Sequence, residues 1–245
     1  MLKIITTLTM FAVGLLAQSQ VSESIQFSPF SKIEVTNGVE IILSQNAEFS
    51  MKAETGAVGD LHSLTMKCKN NTLFISKSTS APVKVYLQAP KVTSIKAANG
   101  AIVRFNDEIS ARNISISLNS GALFHGTVAA DTISLIAIGG SVLNIQAKAL
   151  SLNGYFSGTS KVNLSGTAEY ASINSAESSY CHARNFVCKN IYVNADGVST
   201  VKVFSKERLD VSVLDYAKVA YIHFPGKVSH TSDASGSINR MITQN

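Results

Sequence analysis

The chain has 245 residues, a formal net charge of +5, 45% hydrophobic residues and only 15% charged ones. That is apolar enough to fill a core and far from the charge-rich, apolar-poor composition of a disordered chain. The Lys and Arg residues form no block, so the basic balance is a general surface property and excludes a nucleic-acid interface as the leading expectation.

From Met1 to Ser19 the sequence joins Lys3 to an apolar run from Ile4 to Leu16 and the small-x-small triplet Ala17-Gln18-Ser19. This is the pattern of a secretory leader, too short and wrongly flanked to span a membrane as a helix. Residues 1–19 are read as a signal peptide cut after Ser19, with Ala17 as the alternative. No cysteine sits at the cut to carry a lipid. No later apolar run reaches the roughly eighteen residues a spanning helix needs, so the mature chain is expected to be exported, to the periplasm, the cell surface or beyond, without a membrane-spanning helix.

Residues 20–90 alternate apolar and polar side chains in short runs: Ile33 to Val35, Val39 to Leu43, Phe49 to Ala53, Leu64 to Cys68, Leu73 to Ile75 and Val83 to Leu87. Each reads as a strand. Asn37-Gly38 carries the strongest short hairpin signal, and Asn70-Asn71 divides another pair. These strands are expected to cap one end of the longer C-terminal region, because an open sheet edge invites pairing with other chains.

From residue 91 to 245 a small residue returns about every nineteen or twenty positions: Ala101, Ala122, Ser141, Ser160, Ser179, Ser199, Ala217 and then Ser237. Two and four residues later stand apolar columns such as Val103, Phe124, Leu143, Val162 and Phe105, Ile145, Leu164; eight and six residues earlier stand Ile114, Ile133, Leu152 and Ile116, Leu135, Ile173. Ser and Asn alternate between them, which is the period of a strand rather than a helix. Each repeat is thus two strands and a bend with one apolar stripe, and such units must stack to share a core. The fold expected is all-β: a right-handed parallel β-helix of seven to eight rungs. Gly126, Gly154 and Ser175 interrupt the inward columns and are expected to mark thinner places.

Three cysteines, Cys68, Cys181 and Cys188, are an odd number for an exported chain. Cys181 falls in an inward column and reads as a small buried hydrophobe, while a Cys181–Cys188 bridge across one bend is open on spacing. No Cys/His spacing fits zinc, and no phosphate loop, nucleophile elbow or cofactor fingerprint is present, so no metal or cofactor is expected.

Three surface features could carry function. The position three after the marker reads Arg104, His125, Asn144, Asn163, His182 and Lys202, a basic and amide ladder suited to glycan hydroxyls or acidic sugars, or else an ordinary solvated face. Glu177, Asp196 and Asp215 form the one acidic grouping able to do acid–base or calcium work, although turn residues are commonly acidic for conformational reasons. Ile102, Leu123 and Val142 stand where polar residues belong, so the N-terminal segment or a second copy of the chain is expected over them. His223 and His230 flank Phe224-Pro225-Gly226 and read as turn residues.

The stretch from Phe30 to Gln45, the run Val83-Lys84-Val85-Tyr86-Leu87-Gln88-Ala89-Pro90 and the turns Asn119-Ser120-Gly121-Ala122 and Phe156-Ser157-Gly158-Thr159-Ser160 resemble the family of exported bacterial proteins named "putative autotransporter adhesin, head GIN domain". The resemblance implies a right-handed β-helix shaped like pectin-lyase-like proteins, no established catalytic residues and a role in adhesion. Glu177-Ser178-Ser179 and Asp215-Tyr216-Ala217 depart from it where the family usually has glycine, which bears on how regular the last rungs are.

The function expected is a non-enzymatic binding or adhesion module presenting a rigid surface to a glycan or a cell-surface protein. The alternatives are a β-helix lyase or hydrolase acting through Glu177, Asp196 and Asp215, and a structural unit assembling through Ile102, Leu123 and Val142.

Overall fold

The computed structural model describes residues 21–24, 28–56, 61–222 and 225–241. The expected leader and His223 lie outside the described residues. The chain is a β-solenoid of about eight turns. Strands β9 (Ile102–Leu118), β10 (Leu123–Ala137), β11 (Val142–Phe156), β12 (Lys161–Ser175), β13 (Tyr180–Ala195) and β14 (Thr200–Val213) are each one rung, paired in parallel with the next.

Each rung begins after a tight turn, runs along a first face, bends, and returns along a second face. The turn sits at 120–121, 139–140 and equivalent places, and its leading residue has positive φ: Ser120, Gly139, Gly158, Glu177, Gly197 and Asp215 succeed one another down the rod. Glu177 (φ 57) and Asp215 (φ 55) adopt the left-handed geometry that glycine takes at its neighbours, so the departure from the family's glycine leaves the turns intact. The small marker comes after this turn, pointing inward with 0–1% exposure from Ala101 to Ala217.

A second small column, absent from the columns read from the sequence above, lines the bend: Ala111, Ala130, Ala149, Ala168, Cys188 and Ser205 succeed one another in register. It recurs with gaps of 19, 19, 19, 20 and 17, close to the marker's own period, while its offset from the marker changes in β9, β13 and β14 as those rungs gain or lose residues. The cysteines are resolved by it. Cys188 is a corner residue between Ala168 and Ser205, whereas Cys181 sits in a core column between Val162 and Val201. All three thiols are free, so the candidate Cys181–Cys188 bridge is not formed.

The inward columns are buried as their alternation implies, from Val103 to Val219 and from Ile114 to Leu209. The glycines within them are not thin places. A Cβ on Gly126 would lie 2.7 Å from Phe105 Cβ, and one on Gly154 would lie 2.6 Å from the Phe156 ring. Phe105 and Phe124 then meet edge to face at 4.8 Å between centroids. Each glycine makes room for an aromatic ring, so the core stays filled.

The N-terminal strands do more than cover an end. Strands β2 (Lys32–Val35) and β3 (Glu40–Gln45) form a rung pinned between β6 (Thr72–Lys77) with β7 (Val83–Ala89) on one side and β8 (Ser94–Ala97) with β9 on the other. Rung order therefore departs from chain order. Asn37-Gly38 is a left-handed turn, but β2 and β3 do not pair with each other; the turn makes a solenoid corner. Asn70-Asn71 joins β5 (Leu64–Lys69) to β6 as a true antiparallel hairpin. The dipeptide sets the bend, and the availability of strands above and below decides whether it closes a hairpin. Beyond this, β4 (Ser50–Thr55) runs antiparallel to β7, and β1 (Val21–Ser24) to β4.

At the opposite end β15 (Lys218–Ile222), β16 (Lys227–Ser232) and β17 (Ser237–Arg240) complete the rod. His230, expected at a turn, stands within β16 because the strand pairs with the second half of β14. Val211, Val213 and Tyr221 align there with His230, Ser232 and Arg240, so core-facing positions turn polar in the last rung. Inward-pointing polar and charged residues at an edge discourage further strand addition.

Candidate functional site

Parallel register stacks the predicted ladder without a break. Arg104, His125, Asn144, Asn163, His182 and Lys202 succeed one another on the first face, preceded by Tyr86 and Ile42 and continued by Ala220. Rungs are about 4.8 Å apart, so side chains in one column touch their neighbours.

Those contacts divide the ladder into ends and a middle. Arg104 Nε donates to Glu40 Oε1 at 3.0 Å, and Lys202 Nζ lies 5.4 Å from the centre of the Tyr180 ring. Asn163 Nδ2 donates to Asn144 Oδ1 at 2.7 Å, an amide ladder that leaves each Asn with unused donors and acceptors. His182 is held below the usual histidine range, first by partial burial and then by the positive charges of Lys202 and Arg184. It is therefore neutral at neutral pH and could gain a proton against an incoming anion.

The middle opens into a groove of about 330 Å3, lined by His125, Asn144, Asn163 and His182 and, from the next outward column, by Gln146, Ser165 and Asn185. Register shifts between His125 and Thr127 and between Asn163 and Ser165 border it. Such bulges re-aim side chains. The period predicted the column but not that its middle is a groove.

The acidic grouping lies elsewhere, at the turns. The Val198 N–H donates to Glu177 O at 2.7 Å and the Tyr216 N–H to Gly197 O at 2.9 Å, so one whole turn separates Glu177 from Asp215. Asp196 precedes the left-handed position and is half-buried, while Glu177 and Asp215 are exposed. Among the described residues no group of three or more His, Cys, Asp or Glu side chains is placed to hold a metal ion. A further carboxylate, missed in the sequence, closes the next turn: Asp233 accepts N–H groups of Asp215, Ser235 and Gly236 at 2.7–3.0 Å, which hold its carboxyl below the usual range. Asp233 organises this turn, while Glu177, Asp196 and Asp215 stand at or beside the left-handed turn positions.

Ile102, Leu123 and Val142 form a half-buried strip beside the ladder. Glu40 and Lys84 continue this column, so β3 and β7 lengthen the rod here rather than fold over the strip, contrary to one of the two expected coverings.

The family described as "Putative auto-transporter adhesin, head GIN domain" matches residues 29–225. The chain belongs to this family. Solved structures share the head GIN domain's fold at low identity. A putative adhesin from Bacteroides fragilis is 19% identical with a TM-score of 0.66, covering 92% of this chain and 98% of that one. One from Parabacteroides merdae is 14% identical with a TM-score of 0.78, covering 91% and 96%. A putative lipid binding protein from Parabacteroides distasonis is 16% identical with a TM-score of 0.75, covering 91% and 97%. No curated protein matches the chain. The family and these neighbours carry adhesin or lipid-binding names and none carries an enzyme's. Among the described residues no helix is long and apolar enough to cross a membrane.

Proposed function

We propose that this head GIN domain is an exported, non-catalytic adhesion module whose first face binds a glycan carrying carboxylates along the rod axis. The observation that carries this reading is the groove bounded by His125 and His182 with Asn144 and Asn163 between them. A groove crossing four rungs suits an extended polymer. Amide and hydroxyl groups serve sugar hydroxyls, while Arg184 and Lys202 supply positive potential for acidic residues and the neutral His182 beside them can take up a proton against a carboxylate.

The test is binding of the mature protein to a panel of polyuronates and neutral glycans, with new chain ends scored in the same wells. Retention of a polyuronate without cleavage is the expected result. Binding tightens as pH falls through the histidine range, because an anion beside His182 favours its protonated form. His182→Ala weakens retention about tenfold, the loss of one charge-assisted hydrogen bond. Product formation, or retention indifferent to both His182 and pH, refutes the reading.

A further inference from the structure

The second face of the rod carries a different surface. From β9 to β13 its outward positions are Ser, Thr, Asn and Tyr, with Ile136 the one exception and no charged residue among them. A solvated face of this size ordinarily carries charges at about a quarter or more of its positions. Solubility therefore does not account for this composition.

Three tyrosines stand out from the panel: Tyr155, Tyr170 and Tyr192 are 48%, 60% and 47% exposed. Register places them on three consecutive rungs in three different columns, since Tyr155 pairs with Asn174, Tyr170 with Asn190 and Tyr192 with Ser172. With about 4.8 Å between rungs and about 3.3 Å per residue, the Tyr170 and Tyr192 backbones lie about 8 Å apart and the Tyr155 and Tyr192 backbones about 12 Å apart. Rigid aromatic anchors among adaptable Ser and Asn groups are the composition of recognition surfaces, because Tyr offers contact area at low entropic cost. The flat sheet suits a polymer lying across it rather than a small molecule enclosed by it.

Charge at the margins of the panel is paired off. Lys189–Glu169 at 2.6 Å and Arg112–Asp131 at 4.0 Å line the bend, Arg208–Asp210 at 2.6 Å borders one end, and Lys96–Glu34 at 2.8 Å borders the other. An ionic ligand would meet no complementary field here. A neutral sugar chain meets ring faces for its C–H surfaces and amides and hydroxyls for its hydroxyl groups.

We infer that the uncharged panel around Tyr155, Tyr170 and Tyr192 is a second binding surface, for an uncharged polysaccharide, separate from the groove of the first face. The experiment is affinity electrophoresis of the mature chain through gels containing xylan, mannan, laminarin, soluble starch or polygalacturonate. It is run with the parent protein, Tyr170→Ala, Tyr192→Ala, Tyr170→Phe and His182→Ala, each with its urea midpoint measured to confirm folding.

Retardation by at least one neutral polymer is expected, unchanged by 0.5 M salt at about a 4 Å screening length. Either Tyr→Ala change weakens it about tenfold, Tyr170→Phe retains it, and His182→Ala leaves it alone. Retardation by polygalacturonate only, or indifference to the tyrosines, overturns the inference while leaving the groove reading standing. No retardation by any neutral polymer overturns it as well. So does a concentration-dependent dimer lost on Tyr170→Ala, which would make the panel a contact between copies of the chain.

Discussion

The marker column allows four single Ser→Ala substitutions of opposite expected sign. Ser141, Ser160, Ser179 and Ser199 stand in one inward column with 0–1% exposure. The Ser179 hydroxyl lies 2.8 Å from both Ser175 Oγ and Ala176 O, and Ser199 Oγ donates to Ser175 O at 3.0 Å. Among the described residues the Ser141 and Ser160 hydroxyls have no hydrogen-bond partner. A buried hydroxyl left unpaired costs about 1–3 kcal/mol, whereas a paired one contributes about 0.5–1.5 kcal/mol. Alanine already fills this column at Ala101, Ala122 and Ala217, so the methyl side chain fits the corner. Ser141→Ala and Ser160→Ala should each stabilise by about 1 kcal/mol after allowing for the contacts of the lost oxygen. Ser179→Ala and Ser199→Ala should each destabilise by about 1 kcal/mol, the former more because it also strips a partner from Ser175. At this chain length about 1 kcal/mol corresponds to about 2–4 °C in Tm. Urea titrations and thermal melts of the four variants measure the difference, with equal m-values as the condition for comparing midpoints. A loss of stability at Ser141 and Ser160 matching that at Ser179 would refute the reasoning, since it would mean all four oxygens are satisfied alike.

Gly166 has φ +106 and a Cβ there would overlap the Ala147 carbonyl oxygen, so Gly166→Ala should cost about 3 kcal/mol or more in a urea titration; a change under about 1 kcal/mol would count against the close approach of Gly166 to Ala147. Burial pushes the Cys181 and Cys188 thiols up to about 12, so a thiol reagent at about pH 8 should modify half-exposed Cys68 first and reach the other two only on unfolding, as mass spectrometry of the native protein would show. The depressed His182 titration means the folded state disfavours the imidazolium: its contribution to stability is present above the unfolded value of about 6.5 and is lost as pH falls through that value toward the folded one. Because the ring is mostly solvated the effect on stability is small, and an NMR titration is the sharper check, with a midpoint below about 6.5 that rises in Lys202→Gln; a midpoint at or above the ordinary value would contradict the assigned causes.

The fold was legible where the chain repeats itself and obscure where it does not. From Ala101 to Ala217 one small residue per rung and strict alternation locate the marker column and the inward columns two and four residues after it and eight and six before it, because each rung meets the same constraints at the same corner. The bend column from Ala111 to Ser205 obeys an equally strict constraint, yet extra residues near Asn106 in β9 and near Arg184 in β13, and fewer before the bend in β14, change its offset from the marker. The rung of β2 and β3 was hidden for a different reason. Its neighbours β6, β7, β8 and β9 come later in the chain, and no local pattern tells which partners a strand will find. Asn37-Gly38 shows the same limit at the scale of two residues.

The candidate sites were legible as columns but not as shapes. A period of nineteen places His125 above Asn144, yet it says nothing of the groove along the middle of the ladder or of the Glu40 carboxylate that occupies Arg104. The second-face tyrosines escape column counting altogether, since each belongs to a different column and only the sheet gathers them. The division has a physical origin. Corners and core columns must repeat for rungs to stack, so they carry the signal of the fold and leave little freedom for recognition. The outward columns are under no such demand, and departures from periodicity there, a histidine pair or three tyrosines in three columns, are where binding chemistry can differ from rung to rung without disturbing the rod.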